Sequence, residues 1–271
     1  MARLELKNRW VVVTGASSGL GLEMARVLAS QHGANIIAVA RRADRLSALQ
    51  AELESKHGVK VAPLAADLSR AGEPQRLFES AVAGRDVAGA ILNAGVTFFG
   101  RALEQAPADF ESMVATNITS LVDLSQRFST HFLQQGTPSG LMLVASMAGF
   151  SPLPYQTAYA ATKSFVISYG RGLAYELRKT GVSVTVFAPG GIATEMLELS
   201  GLSRKFKAGD LGIMSAEECA RLAVRAFVRR KELSIPGLLN RLLALSMKLL
   251  PHGVIISRSG SMYAGGLKPS S

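Results

Sequence analysis

Apolar residues along the chain alternate between two rhythms. Short runs rich in aliphatic and β-branched residues, at Trp10–Thr14, Ile36–Ala40, Val59–Ala65, Gly89–Asn93, Leu141–Ala145, Val182–Ala188 and Leu233–Ile235, read as buried strands. Between them the spacing lengthens to that of a helix. Met24, Val27 and Leu28 mark one that stops at Gly33, and "DRLSALQAELESKHG" marks the next. Others are expected at Gln75–Ala83, Phe110–Leu133, Ala158–Thr180 and Glu217–Arg230. Strands alternating with helices imply parallel pairing through right-handed crossovers, hence a three-layer α/β, doubly wound parallel sheet in one domain.

The regularity fails after Pro189. Residues 190–214 carry Gly191, Gly201, Gly209 and Gly212 among apolar and basic residues, which predicts a mobile flap over a site. Beyond Pro236, Leu238, Leu239, Leu242, Leu243, Leu245, Leu249 and Leu250 share a broad helical face, with Asn240, Arg241 and Lys248 opposite, until Pro251. The chain thus divides into a core of residues 1–236 and a C-terminal extension of residues 237–271.

Composition adds constraints. The chain has 271 residues, enough for a substantial core, and 48% of them are apolar. Its lone cysteine, Cys219, rules out an intramolecular disulfide and fits a reducing compartment. The start "MARLELKNRWVVV" lacks a long apolar run, so no secretory signal is expected, and no 18-residue apolar span occurs. A cytoplasmic location follows as the expectation. The net charge of +10 is uneven: residues 1–200 hold 18 Lys/Arg against 16 Asp/Glu, and residues 201–271 hold 12 against 4. No nucleic-acid motif accompanies that charge and aromatics are few at 6%, so an anionic membrane surface or acidic substrate group explains it at least as well. His32, His57, His131 and His252 lack ligand spacing with one another or with Cys219, so no metal site is expected and surface positions are.

Three short stretches carry candidate chemistry. In an open parallel sheet, the first strand-to-helix turn is where a pyrophosphate meets backbone N–H groups and a helix N-terminus, and Gly15, Gly19 and Gly21 lie in that turn. This Rossmann-type placement selects phosphate binding over a merely tight connection, with Ser17, Ser18 and Leu20 in the same cradle. After the second strand, Arg41 and Arg42 stand where an acid would hold an adenosine ribose, which favours NADP(H) over NAD(H) through the 2′-phosphate. In "AYAATK", Tyr159 and Lys163 share a helix face four residues apart. A phenol titrates near 10, so a tyrosine used for proton transfer needs a cation beside it, but a packed tyrosine with a snorkelling lysine gives the same spacing.

Together, "TGASSGLG" at 14–21, Asp67 in "AADL", "NAG" at 93–95, Asn117 in "ATNITS", Ser146 in "VASMAG", "YAATK" at 159–163 and "PGGIAT" at 189–194 resemble the short-chain dehydrogenase/reductase family. The resemblance runs from about Leu6 to Ile235. It implies an oxidoreductase that interconverts a carbonyl and an alcohol, with Tyr159 as general acid/base and Lys163 lowering its pKa and holding the nicotinamide ribose. It further implies that Ser146 donates to the substrate oxygen and that Asn117 supports a water relay. As cofactor contacts it implies Asp67 and Leu68 at the adenine, Asn93, Ala94 and Gly95 at the adenosine ribose, and Pro189, Gly190, Ile192 and Thr194 at the nicotinamide. One departure matters. Many NADP-preferring relatives place a basic residue where this chain has Ser18, so the cofactor preference rests on Arg41 and Arg42. A dinucleotide-binding regulator or scaffold without turnover is the alternative, and the intact Asn117, Ser146, Tyr159 and Lys163 argue against it.

Partner expectations follow. Met196, Leu197, Leu199, Leu202 and Phe206, with Phe150, Leu153 and Tyr155, suggest an apolar wall and therefore a small apolar or lipid-like carbonyl/alcohol substrate. The leucine face of residues 237–263 needs a cover: its own substrate cleft, a partner subunit, or an anionic membrane surface. Relatives of this fold commonly form dimers or tetramers, so a homodimer or homotetramer is expected, with peripheral membrane contact as the other reading.

Overall fold

The structure is a computed structural model that describes residues 2–195 and 213–265. Its elements run β1 (Trp10–Thr14), α1 (Gly19–His32), β2 (Asn35–Ala40), α2 (Ala43–His57), β3 (Val61–Ala65), α3 (Glu73–Val82) and β4 (Val87–Leu92). There follow α4 (Pro107–Val114), α5 (Ser120–Gln135), β5 (Ser139–Val144), α6 (Thr157–Leu177) and β6 (Val182–Phe187). The last are β7 (Gly191–Ala193), β8 (Ile213–Ser215), α7 (Ala216–Val228), β9 (Leu233–Ser234), α8 (Leu238–Leu249) and α9 (His252–Ala264).

Seven strands form one parallel sheet in the order β3-β2-β1-β4-β5-β6-β9. Every residue of β2, β4, β5 and β6 is buried, because helices cover both faces and leave no solvent side to alternate with. Leu28, Leu49 and Phe227 fill the layer under α1, α2 and α7, and Leu77, Phe128 and Val166 fill the one under α3, α5 and α6. Strand order reverses at β1, which lies between β2 and β4, so the crevice for a ligand opens beyond the carboxyl ends of β1 and β4.

Three departures from the sequence expectations bear on function. The helix expected over Phe110–Leu133 is α4 and α5 joined through a five-residue π-helical turn, Ala115–Thr119, with Asn117 at its centre. Such wide turns often mark functional sites, because they leave the regular hydrogen-bond ladder. The ends of the expected flap pair as a small parallel sheet, β7 with β8, while Met196, Leu197, Leu199, Leu202 and Phe206 lie outside the described residues. The leucine stripe also faces the other way from a buried one. Leu238, Leu242, Leu245 and Leu249 are 72%, 57%, 54% and 76% exposed, whereas Asn240, Ala244 and Ile255 are buried.

Candidate active site

The glycine turn after β1 is built by three different demands. Gly15 and Gly19 have φ of 70° and 53°, the left-handed region that favours glycine. At Gly21 the demand is space, since a Cβ there would lie 2.2 Å from the Gly15 carbonyl oxygen and 2.6 Å from Asn93 Nδ2. Thr14 fastens the turn to β4: its Oγ1 accepts from the backbone N–H of Asn93 and of Ala94, each at 2.9 Å. Asn93 Nδ2 donates to the Thr14 carbonyl at 3.0 Å, so its amide supports the turn, and any ribose contact from this residue falls to other atoms. No acidic residue occupies the first turn of α1, and Ser18 does not cap it with its side chain. The positive end of the helix therefore faces the crevice with no acidic residue of its own first turn, which suits a diphosphate.

Beside the turn sits a cluster of charge. Arg42 donates to Ser18 Oγ at 2.7 Å and to Ser17 Oγ at 3.1 and 3.2 Å. Its Nη1 pairs with Glu195 at 3.0 Å, and Arg45 takes the other carboxylate oxygen at 2.6 Å. Those two guanidinium groups hold the Glu195 carboxyl below its ordinary pKa, Arg45 most strongly. Arg41 is exposed and lines the same cavity. Asp67 accepts from the Ser69 hydroxyl at 2.8 Å and backbone N–H at 3.2 Å, and these bonds, the hydroxyl first, depress its pKa. Leu68 is buried beside it on the cavity wall.

Farther along the crevice, four expected residues meet. Ser146 follows β5, and its Oγ accepts from the Ala148 N–H at 3.2 Å, which holds the hydroxyl at the strand end. Tyr159, in the first turn of α6, has Ser146 near enough to its hydroxyl to act on its pKa. Lys163 is 4% exposed; its Nζ donates to the Val144 carbonyl at 2.9 Å and lies 5.7 Å from the Tyr159 ring centroid. Asn117 spends its amide on the chain after β4, accepting from Val96 N–H and donating to Val96 O, both at 2.9 Å, and donating to Thr162 Oγ1 at 3.1 Å. Gly95 is the close approach between them, because a Cβ there would stand 3.3 Å from Asn117 Oδ1 and 3.4 Å from Lys163 Nζ.

Electrostatics here differ in one respect from the sequence expectation. The Tyr159 pKa is raised, not lowered: burial dominates, and the influence of Ser146 opposes it without prevailing. Burial also pushes the Lys163 ammonium down to about 8 from 10.5. Both shifts have one cause, the low polarity of a cleft that disfavours charge on either group.

Pro189, Gly190, Ile192 and Thr194 line the cavity, whose volume is about 770 Å³. A Cβ at Gly19 would lie 3.0 Å from Thr194 Cγ2, so this segment reaches back over the phosphate turn. Leu153 also lines the cavity, whereas Phe150 packs on the core and Tyr155 instead turns the chain at φ 65° just before α6. His131 is half-buried between Phe78 and Phe132, against the expectation of a surface residue. Among the described residues no group of three His, Cys, Asp or Glu side chains gathers.

Sequence reasoning missed Arg45, Glu195 and the C-terminal wall of the cavity. Asn240, Leu243, Met247, Ile255, Met262 and Tyr263 line it from α8 and α9. Asn240 Nδ2 donates to the Pro236 carbonyl at 2.9 Å, and a Cβ at Gly190 would lie 2.8 Å from its amide, which locks α8 onto the strand-end loop. Tyr263 reaches the electrostatic surroundings of Tyr159 and packs on Phe99 at 6.1 Å between ring centroids. The signal was present as Asn240, Leu243 and Met247 at i, i+3 and i+7 and as Ile255, Ser259 and Tyr263 spaced four apart.

A glycine phosphate cradle at the switch point of a doubly wound sheet, with a tyrosine, lysine and serine converging beyond it, defines an oxidoreductase that uses a nicotinamide dinucleotide. The family pattern for short chain dehydrogenases matches residues 9–204, and the chain belongs to that family. It is 26% identical over 271 residues to the 17-beta-hydroxysteroid dehydrogenase type 3 of Rattus norvegicus, covering 96% of this chain and 82% of that one. It is 30% identical to a very-long-chain 3-oxoacyl-CoA reductase of Scheffersomyces stipitis, covering 83% of this chain and 65% of that one. Among solved structures, a short-chain dehydrogenase from Sphingobium yanoikuyae in complex with NADPH superposes with a TM-score of 0.79 at 31% identity, covering 91% and 94% of the two chains. A 7beta-hydroxysteroid dehydrogenase gives 0.84 at 25% identity, covering 96% and 100%. The protein is thus an NAD(P)-dependent enzyme of the carbonyl/alcohol pair.

Proposed function

We propose that the enzyme is an NADP(H)-dependent reductase of bulky apolar ketones or aldehydes, with Tyr159 as its proton donor. The observation that carries this reading is the convergence of Ser146, Tyr159 and Lys163 on a cavity walled by Leu153, Ile213, Leu243, Met247, Ile255 and Met262. Such a wall rewards apolar ring or chain surface and offers little to a polyol. The steroid and acyl names of the similar proteins support the same substrate class. NADP(H), when bound, supplies the hydride chemistry. The glycine turn and the N-terminus of α1 fit its diphosphate, and Arg41, Arg42 and Arg45 fit a 2′-phosphate in the place where Glu195 now accepts from two of them.

The chain's own residues then have definable tasks. Burial keeps the Tyr159 phenol protonated at neutral pH, so its hydroxyl is ready to give a proton to a carbonyl oxygen. Ser146 Oγ–H, held at the end of β5, donates to the same oxygen and stabilises charge growing there. The Lys163 ammonium favours the phenolate left behind, and its hydrogen bond to Val144 fixes its direction. Asn117, through Val96, holds the loop that passes beside Lys163. Leu243, Met247, Ile255 and Met262 of α8 and α9 supply the apolar wall beside the reacting centre.

Replacing Tyr159 by Phe tests the assignment. Turnover is expected to fall by at least about 10²-fold, the usual worth of a positioned proton donor, with NADPH affinity nearly unchanged. Retention of most of the turnover would show that another group delivers the proton.

A further inference from the structure

We propose that the outer face of α8 and α9 seats the enzyme on an anionic bilayer, with the mouth of the cavity turned to the lipid. Leu238, Leu242, Leu245 and Leu249 recur at i, i+4, i+7 and i+11, so they form one exposed stripe along α8. On α9, Val254, Ile256 and Met262 are 42%, 37% and 43% exposed. Exposed apolar side chains on this scale mark an interaction surface. No helix among the described residues is long and apolar enough to cross a membrane, and α8 and α9 have only 12 and 13 residues. They suit a helix pair lying in the interface plane.

Charge selects the occupant. After Glu232 the sequence contains no acidic residue, yet it carries Arg241, Lys248, Arg258 and Lys268. Arg241 and Arg258 are exposed on the helix pair. A second copy using the same face around a two-fold axis would bring basic surface against basic surface with no acid to answer it. Anionic headgroups beside acyl chains answer both the charge and the leucines. The cavity opens at this face as well. Leu243 and Met262 are each 43% exposed and also line the cavity, so one rim borders both solvent and the reacting centre. If the substrate is apolar, as the preceding reading holds, it would partition into the lipid and enter from there.

The test is co-sedimentation of the full chain with vesicles of phosphatidylcholine alone and of phosphatidylcholine containing phosphatidylglycerol. Binding should require the anionic lipid, weakening about fivefold for each neutralised basic contact when it is withheld, and should fall with salt. The double variant Leu242→Gln/Leu249→Gln, neither residue lining the cavity, should lose at least about tenfold in vesicle affinity. Its NADPH affinity and turnover of a water-soluble ketone should match the parent, which verifies folding and separates this inference from the substrate reading. Equal sedimentation with both lipids, or equal binding by parent and variant, would overturn it. So would a parent that ignores vesicles yet forms an oligomer that the double variant dissolves, since the face would then be a contact between copies.

Discussion

Lys163 carries a stability penalty that can be measured without any substrate. The burial that brings its pKa to about 8 from 10.5 means that the charged side chain destabilises the cofactor-free fold at neutral pH by about 3 kcal/mol, at 1.36 kcal/mol per unit. Between those two values the unfolded chain binds more protons than the folded one, so stability rises with pH across that window. From pH 7 to pH 9.5 the rise due to this group is about 2 kcal/mol. Lys163→Met keeps most of the volume and removes the charge, at a loss of about 1 kcal/mol because the Val144 carbonyl has no donor. The variant is therefore expected to be more stable than the parent at pH 7 by about 2 kcal/mol while losing turnover. That advantage should shrink to nothing near pH 9.5, before the raised Tyr159 and Tyr263 pKa values contribute. Urea unfolding of both proteins at the two pH values, without cofactor, reads the difference from the midpoints. Parallel pH trends in parent and variant would refute the reasoning, because they would mean that Lys163 is not held in a medium that disfavours its charge.

The phosphate cluster yields two further expectations. Arg41→Ala should weaken NADPH by about tenfold, the lower end for a charge-assisted contact given its exposure, and leave NADH nearly unchanged; fluorescence titration with both cofactors checks this, and equal loss would count against a 2′-phosphate site. Arg42 is a poorer probe, because its bonds to Ser17 and Ser18 also shape the turn that either cofactor needs. Glu195→Gln removes the internal carboxylate from Arg42 and Arg45 and should strengthen NADPH binding several-fold, most clearly at low salt, whereas weaker binding would mean that the carboxylate organises the site instead of competing for it.

What the sequence could and could not convey divides along physical lines. The strands were readable because a sheet covered on both faces produces continuous apolar runs, as at Ile36–Ala40 and Val182–Phe187. The glycine turn was readable because left-handed backbone and close packing leave few substitutes for Gly15, Gly19 and Gly21. Expected boundaries such as Val59 for β3 and Phe110 for the long helix missed, since ends depend on pairing and capping that a pattern does not encode. The π-helical turn at Asn117 has no local signature; the amide bonds to Val96 that accompany it join residues 21 apart. The Arg45–Glu195 pair joins residues 150 apart, a separation no periodicity reports. In α8 the leucine spacing revealed an apolar face but not its neighbour, and Asn240, which read as polar surface, is the residue that docks the helix. The direction of the Tyr159 shift was likewise hidden, because it is set by burial in three dimensions, which outweighs the opposing influence of Ser146.

The central claim is reduction of apolar carbonyls with NADPH, and the most direct measurement is the initial rate of NADPH absorbance loss across a matched panel. The panel should pair bulky apolar ketones, both ring and acyl-chain types, with polyhydroxylated ketones of similar size, each tested with NADPH and with NADH. Turnover confined to the apolar members and faster with NADPH is the expected result. Preference for the polyhydroxylated members, or for NADH, would contradict the account.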